Sequence, residues 1–294
     1  MNAARHARPL HRQLVSTAAA LRRLFSPVTG DEDDDLLAPA QIDSLMAFVA
    51  RVLAYVQPVL VGAEHLPTTS GALLVGNHGL LGVDSFALYP LLWQATRRLP
   101  RGLGDRVLFT IEPLKRLVTH AGGVAGHRDA AVELLTRDEL VLVYPGGSND
   151  SFKGPADRYT LFWEGRTGFV RVAMRAQKPI VPVMAAGIDD AYHFLFHDRW
   201  VFPRLFGAGK ARYAFPICVG MGVLPLPGST FTFTACPPIY PPVGAELADD
   251  ETAVAAFHAH VWQTCQAHLD DVVARWQAER AGRPRTRVTG ANVS

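Results

Sequence analysis

The sequence predicts an α/β protein: a mixed, partly parallel sheet flanked by helices, preceded by an amphipathic helix. Three observations lead there. Short apolar runs at Ala72–Val75, Glu139–Tyr144 and Pro179–Val183 have the length and composition of fully buried strands. Helical patterns separate them, and the runs end at glycine-bearing turns. In such sheets ligands gather at the carboxyl ends of the strands. The polar turns at His78, Gly123–Arg128 and Gly146–Asp150 are therefore expected to converge.

Each element follows from its residues. Leu10, Leu14, Ala18, Leu21, Leu24 and Phe25 fall on one side of a helix over residues 5–25, opposite Arg5, Arg8, Arg12, Arg22 and Arg23. Such a basic amphipathic helix suits an anionic membrane surface or packs on the body of the domain with its arginines in water. Ser26–Gly30 breaks it, and the acidic run Asp31–Asp35 reads as a solvated linker. Residues 1–35 thus form an appendage, 36–280 the main domain and 281–294 a loose basic tail.

A second helix is expected over Gln41–Gln57, ended by Pro58. Further on, the pattern predicts helices at Ser85–Thr96, Pro113–His120, Asp129–Thr136 and Asp249–Ala278, and Gly165–Phe169 leads into another that ends at about Gln177. It places strands at Arg106–Thr110 and Ser229–Cys236, and a loop over Ser148–Asp157.

Composition narrows the function. At 294 residues, 49% of them hydrophobic, the chain can bury one large core, and a formal net charge of +2 argues against a general nucleic-acid binder. Cys218, Cys236 and Cys265 are far apart, with no metal spacing and no disulfide framework. They suggest reduced thiols in a cytoplasmic protein without a metal site. The N-terminal residues lack the apolar core of a signal peptide. Tyr213–Ala245 has no charged residue, yet its seven prolines and four glycines exclude a membrane-spanning helix.

The stretch Gly71–Pro90 carries the chemistry. A strand delivers His78 at its carboxyl end, and Asp84 follows where a helix begins. Asp84 there can cap free N–H groups. It can equally hold one ring nitrogen of His78, leaving the other to take a proton from a substrate hydroxyl.

Four ordered blocks resemble those of the glycerolipid (lysophospholipid) acyltransferase superfamily. They are Gly71–His78 with Asp84, Gly123–Arg128, Tyr144-Pro145-Gly146-Gly147 and Ile180–Val183, with Val61–Pro67 ahead of them. The match spans about Val61–Asp190. The common pattern has four residues between His and Asp, whereas five stand here. The common third block reads Phe-Pro-Glu-Gly-Thr-Arg. Here Gly146 replaces the Glu, and no Arg follows. Those departures, with Asp150 and the Tyr159–Phe169 segment, look like the diacylglycerol acyltransferase and phytyl-ester-synthase-like branch.

The resemblance implies an O-acyltransferase that needs no cofactor and uses acyl-CoA as a co-substrate. His78 would be the general base and Asp84 its orienter. Backbone N–H groups at Gly146 and Gly147 would face an oxyanion, because glycine lets backbone approach closely, although the pair is equally a tight strand-to-helix connection. Arg128 and Arg166 would hold donor phosphates or be surface charges, and Asp150 is the branch's acidic residue. The missing third-block arginine favours a neutral acceptor, such as mono- or diacylglycerol or a long-chain alcohol, over lysophosphatidic acid. A lipid acceptor implies a peripheral lipid-surface location. A serine hydrolase would need Gly-x-Ser-x-Gly, and Gly146-Gly147-Ser148-Asn149-Asp150 lacks the last glycine. A non-catalytic lipid-binding protein would not need His78.

Overall fold

The computed structural model describes residues 17–29, 35–163, 165–197, 216–219 and 225–282. Residues 5–16 of the expected N-terminal helix, most of the acidic run and residues 283–294 of the basic tail lie outside them. The described residues build a seven-stranded sheet from β1 (Val59–Val61), β2 (Ala72–Val75), β3 (Arg101–Gly104), β4 (Val124–Ala125), β5 (Leu140–Val143), β6 (Ile180–Ala186) and β9 (Thr232–Ala235). Its order is β1-β9-β6-β2-β5-β3-β4, and every neighbouring pair is parallel except β6 with β9. β7 (His193–His197) and β8 (Pro216–Val219) form a separate antiparallel pair.

The helices are α1 (17–24), α2 (Pro39–Val52), α3 (Val83–Thr96), α4 (Glu112–His120), α5 (Arg128–Thr136), α6 (Ser148–Ser151), α7 (Gly168–Ala176) and α8 (Glu251–Gly282). They cover both faces of the sheet, and strand alternation explains why. In β2, Leu73 and Val75 point into a core shared with α5, α7 and α8, while Ala72 and Leu74 point into one shared with α3. A strand buried on both faces has no polar side to show, so Ala-Leu-Leu-Val is continuously apolar. On α8, Val254, Phe257, Val261, Cys265 and Leu269 recur every three or four residues and lie on the buried side.

Two expectations need correction. The segment expected as a strand at Arg106–Thr110 contains a 3₁₀ turn, Arg106–Phe109, and the strand lies earlier at Arg101–Gly104. Arg-Gly-Leu-Gly has poor strand propensity, but packing selects it. A Cβ on Gly102 would come 2.4 Å from the Tyr89 hydroxyl, and the buried Arg101 donates through Nε to the Gly122 carbonyl at 3.3 Å. Second, the loop expected over Ser148–Asp157 contains α6 and a 3₁₀ turn at Pro155–Asp157. Of the two alternatives for the N-terminal helix, its described part follows the packed one. Ala20 and Leu24 are buried against Leu37, Ile42, Leu45, Met46 and Trp93, and Leu21 is half-buried beside them. Phe25 alone of the described stripe is strongly exposed among the large apolar residues.

Candidate active site

β5, β2 and β6 lie side by side in the middle of the sheet, so the segments leaving their carboxyl ends meet. Asn77 follows β2 and is buried. Its amide nitrogen donates to the Ala185 carbonyl at 2.9 Å, and its oxygen accepts from the Ala185 N–H at 2.8 Å. This clamp ties the end of β2 to β6 and fixes where the chain turns.

His78 comes next. Its Nδ1 lies 3.0 Å from Asp84 Oδ2, and Asp84 Oδ1 accepts from the Gly79 N–H at 3.1 Å. Asp84 is the second residue of α3 rather than its cap, and its side chain is almost wholly buried. A carboxylate beside Nδ1 favours the tautomer with its hydrogen on that nitrogen, in which Nε2 is the accepting one. The His78 side chain keeps 17% of its surface exposed, so the dyad is enclosed without being sealed.

The imidazole is held on two sides. The Tyr144 ring stacks on it with centroids 4.0 Å apart and planes 15° from parallel. Gly76 makes room, since a Cβ there would lie 3.1 Å from the Tyr144 ring. Ser85 Oγ donates to the Tyr144 hydroxyl at 3.1 Å. Burial, and then the negative charge of Asp84, push the phenol well above its ordinary range, so it stays neutral. Against the opposite edge, Gly82 adopts φ +73°. A Cβ there would come within 3.1 Å of His78 Cε1 and 3.2 Å of Nε2.

Residues 57–186 match the family model described as Acyltransferase. That match makes this stretch similar to acyltransferase domains. The chain is similar to an uncharacterized protein of Mycobacterium leprae, 33% identical over 220 residues, or 72% of this chain and 59% of that protein. It is also similar to the bovine (Bos taurus) DGAT1/2-independent enzyme synthesizing storage lipids, 27% identical over 157 residues, or 52% of this chain and 45% of that protein. The matches therefore span only about half to three-fifths of those relatives' lengths. Among solved structures, the 1-acyl-sn-glycerophosphate (LPA) acyltransferase PlsC of Thermotoga maritima aligns with a TM-score of 0.49. Its identity is 16%, covering 96% of this chain and all of that one.

The third block, Tyr144–Gly147, forms the turn after β5. The Gly147 N–H donates to the Tyr144 carbonyl at 2.9 Å, so this amide is engaged in the turn itself. Gly146 packs against Asp150, whose carboxylate accepts from the Phe162 N–H at 3.0 Å and from Trp163 Nε1 at 3.2 Å. Asp150 thereby binds the turn to the Tyr159–Phe169 segment, which is a structural role. Burial raises its pKa, opposed by Lys153, by those two donors and by His78. Arg166 Nη1 donates to the Pro145 carbonyl at 3.2 Å and lies against Gly147. Arg128 opens α5 at the far edge of the sheet. It is exposed, with its guanidinium against Gly168 at the start of α7. Of the three turns expected to meet, those at His78 and Gly146 are joined by the His78–Tyr144 stack, and Arg128 reaches Gly168 at the start of α7.

Lys153 and Asp189 escaped the sequence reading as site residues. Both side chains are only 4% exposed, with Lys153 Nζ 2.8 Å from Asp189 Oδ2. Asp189 follows β6 and accepts from the Tyr159 N–H at 2.8 Å. Burial raises its pKa, and Lys153 opposes the shift. No sequence signal links positions so far apart along the chain. Tyr144 stood inside a recognised block, where its aromatic ring was the only hint of a stack. Among the described residues no cluster of His, Cys, Asp and Glu is arranged to hold a metal ion.

Proposed function

We propose that the chain transfers a fatty acyl group from an acyl thioester, with acyl-CoA as donor, to the hydroxyl of a neutral lipid acceptor. The acceptors we favour are mono- or diacylglycerol or a long-chain alcohol. The observation that carries this reading is the His78–Asp84 pair at 3.0 Å inside the stretch similar to acyltransferase domains. Nε2 of His78 takes the acceptor's proton as its oxygen attacks the thioester carbonyl. The tetrahedral intermediate then expels the thiolate, which recovers that proton from the imidazolium. The thioester is already activated, so no acyl-enzyme is needed.

The developing oxyanion falls to the Gly146 N–H, since that of Gly147 is engaged, with the Arg166 charge beside the turn. Arg128, exposed at the start of α5, is proposed for the donor's phosphates. The name of the mammalian relative, an enzyme synthesizing storage lipids, supports a neutral acceptor. One observation favours a second reading: Arg166 sits against the third-block turn, where it can meet the phosphate of a lysophosphatidic acid. Mass spectrometry of products from purified protein, mixed acyl-CoAs and a panel of lipid hydroxyls tests both. Higher kcat/KM on neutral acceptors supports the first, and a clear preference for lysophosphatidic acid replaces it with the second.

The acceptor also implies peripheral attachment of a cytoplasmic protein to a lipid surface. Among the described residues no helix is long and apolar enough to cross a membrane. Ala20 and Leu24 face the domain, so docking would rest on residues before 17 and on exposed apolar groups such as Phe25 and Phe86. Sedimentation with anionic liposomes, with and without salt, checks this.

A further inference from the structure

The dyad has a polar cavity beside it that the proposed reaction does not use. Leu80, Asp150, Ser151, Lys153, Arg158 and Asp189 line it. Leu80 in its wall directly follows Gly79 in the dyad loop, and the Asp150 carboxylate lies against Gly146 of the third-block turn. Ile188, also in its wall, would touch a Cβ on Gly79 at 3.1 Å. The cavity is small, with room for about one oxygen-sized group.

Its charges are compensated, but its donors are not all used. Lys153 Nζ lies 2.8 Å from Asp189 Oδ2, which can engage only part of its three N–H groups, and no other acceptor is in bonding geometry. Arg158 pairs through Nη1 with Asp190 Oδ1 at 3.1 Å, while its buried Nε has no acceptor. An ammonium has three N–H groups, and leaving them unmatched in a closed site is costly. The arrangement calls for a neutral oxygen. Each cation already has a carboxylate, so no uncompensated positive charge remains for a phosphate.

We infer that this cavity is a subsite for a second oxygen of the acceptor, adjacent to the reacting hydroxyl, with Lys153 as its hydrogen-bond donor. The inference rests on the acyltransferase reading and narrows it. The preferred acceptor is a glyceride, whose neighbouring carbon carries a hydroxyl or ester oxygen, over a simple alkanol. Lys153 is then a specificity-determining residue.

The test compares kcat/KM for a monoacylglycerol and a straight-chain alkanol of matched length in the same detergent, with acyl-CoA as donor. Wild-type protein should favour the glyceride by about 10- to 100-fold, the range of one hydrogen bond to a charged group. In Lys153→Met that ratio should fall toward 1, whatever happens to the absolute rates. Ser151→Ala, which removes a smaller polar group from the same wall, should lower it several-fold. This second variant keeps the test decisive if Lys153→Met does not fold. Equal use of both acceptors by wild type, or an unchanged ratio in a folded Lys153→Met, overturns the subsite. For Ser151→Ala alone, an unchanged ratio does the same. Transfer to neither acceptor, nor to any other lipid hydroxyl, instead overturns the acyltransferase reading on which it rests.

Discussion

Gly82→Ala separates two effects that one methyl group introduces together. The first is backbone strain. Gly82 has φ +73°, and an L-residue in the left-handed region costs about 1–2 kcal/mol. In a domain of this size that lowers Tm by roughly 2–8 °C. The second is crowding. The new Cβ would stand 3.1 Å from His78 Cε1 and 3.2 Å from Nε2, so the imidazole must give by a few tenths of an ångström. A 1 Å misplacement at a reacting centre costs about 100-fold, so we expect kcat to fall about tenfold, with added loss from the methyl beside the accepting nitrogen. Gly228→Ala is the matched control. Gly228 has φ +87° and no atom within 4 Å of where its Cβ would stand, so it carries the strain without the crowding. Thermal melts and initial rates on both variants give the answer. Similar losses in Tm with a loss of turnover confined to Gly82→Ala support the geometry. Wild-type kcat in Gly82→Ala, or an equal kcat loss in Gly228→Ala, refutes it.

The same contacts predict four further outcomes. His78→Ala should lower turnover by about 10²–10⁴-fold with its fold intact, and Asp84→Asn should lose less; wild-type rates in His78→Ala would remove it as the base. Leu24→Ala, in the contact between α1 and the domain, should cost about 2–5 kcal/mol in a denaturant titration, whereas a helix standing clear of the domain would lose almost nothing. Gly146→Ala should destabilise the third-block turn, because its Cβ would overlap the Asp150 carboxylate at 2.1 Å; combining it with Asp150→Gly should recover part of the lost Tm. Asp138 is held below its usual pKa by the hydrogen bond from Lys178 at 2.6 Å and then by the Gly71 N–H at 3.0 Å. That stabilisation is present above the unfolded-state pKa and fades as pH falls through the folded one. The Tm gap between wild type and Asp138→Asn should therefore be full near pH 7 and close in strong acid.

The strands around the site were legible because both their faces are buried. β2, β5 and β6 are continuously apolar, and a buried strand has no other way to be written. β3 was misplaced because its fitness comes from partners distant in sequence, Tyr89 and Gly122, rather than from its own residues. The dyad could be named from the sequence, but only the fold separates an orienting carboxylate from a helix cap. Asp84 accepts from both the His78 ring and the Gly79 N–H. Tyr144, Lys153 and Asp189 join the site through the side-by-side arrangement of β5, β2 and β6, which no local spacing records.

The departures from the common acyltransferase pattern make sense as two linked exchanges. The extra residue between His78 and Asp84 is taken up by a 3₁₀ turn over Leu80–Gly82, closed by the Gly82 N–H donating to the Gly79 carbonyl at 3.2 Å. The left-handed backbone of Gly82 then starts α3 at the angle that brings Asp84 back to the ring. In the third block, the space a Glu side chain would enter at position 146 is filled by the Asp150 carboxylate, 2.1 Å from where its Cβ would stand. A glutamate at 146 and an aspartate in this place at 150 are sterically exclusive. Gly146 with Asp150 is therefore a single structural choice. It moves the acidic group from the turn to the first turn of α6, where it lies against Gly146 and anchors Trp163. That move brings the acid into the wall of the cavity that Lys153 shares, so one exchange shapes both the turn beside the dyad and the space next to it.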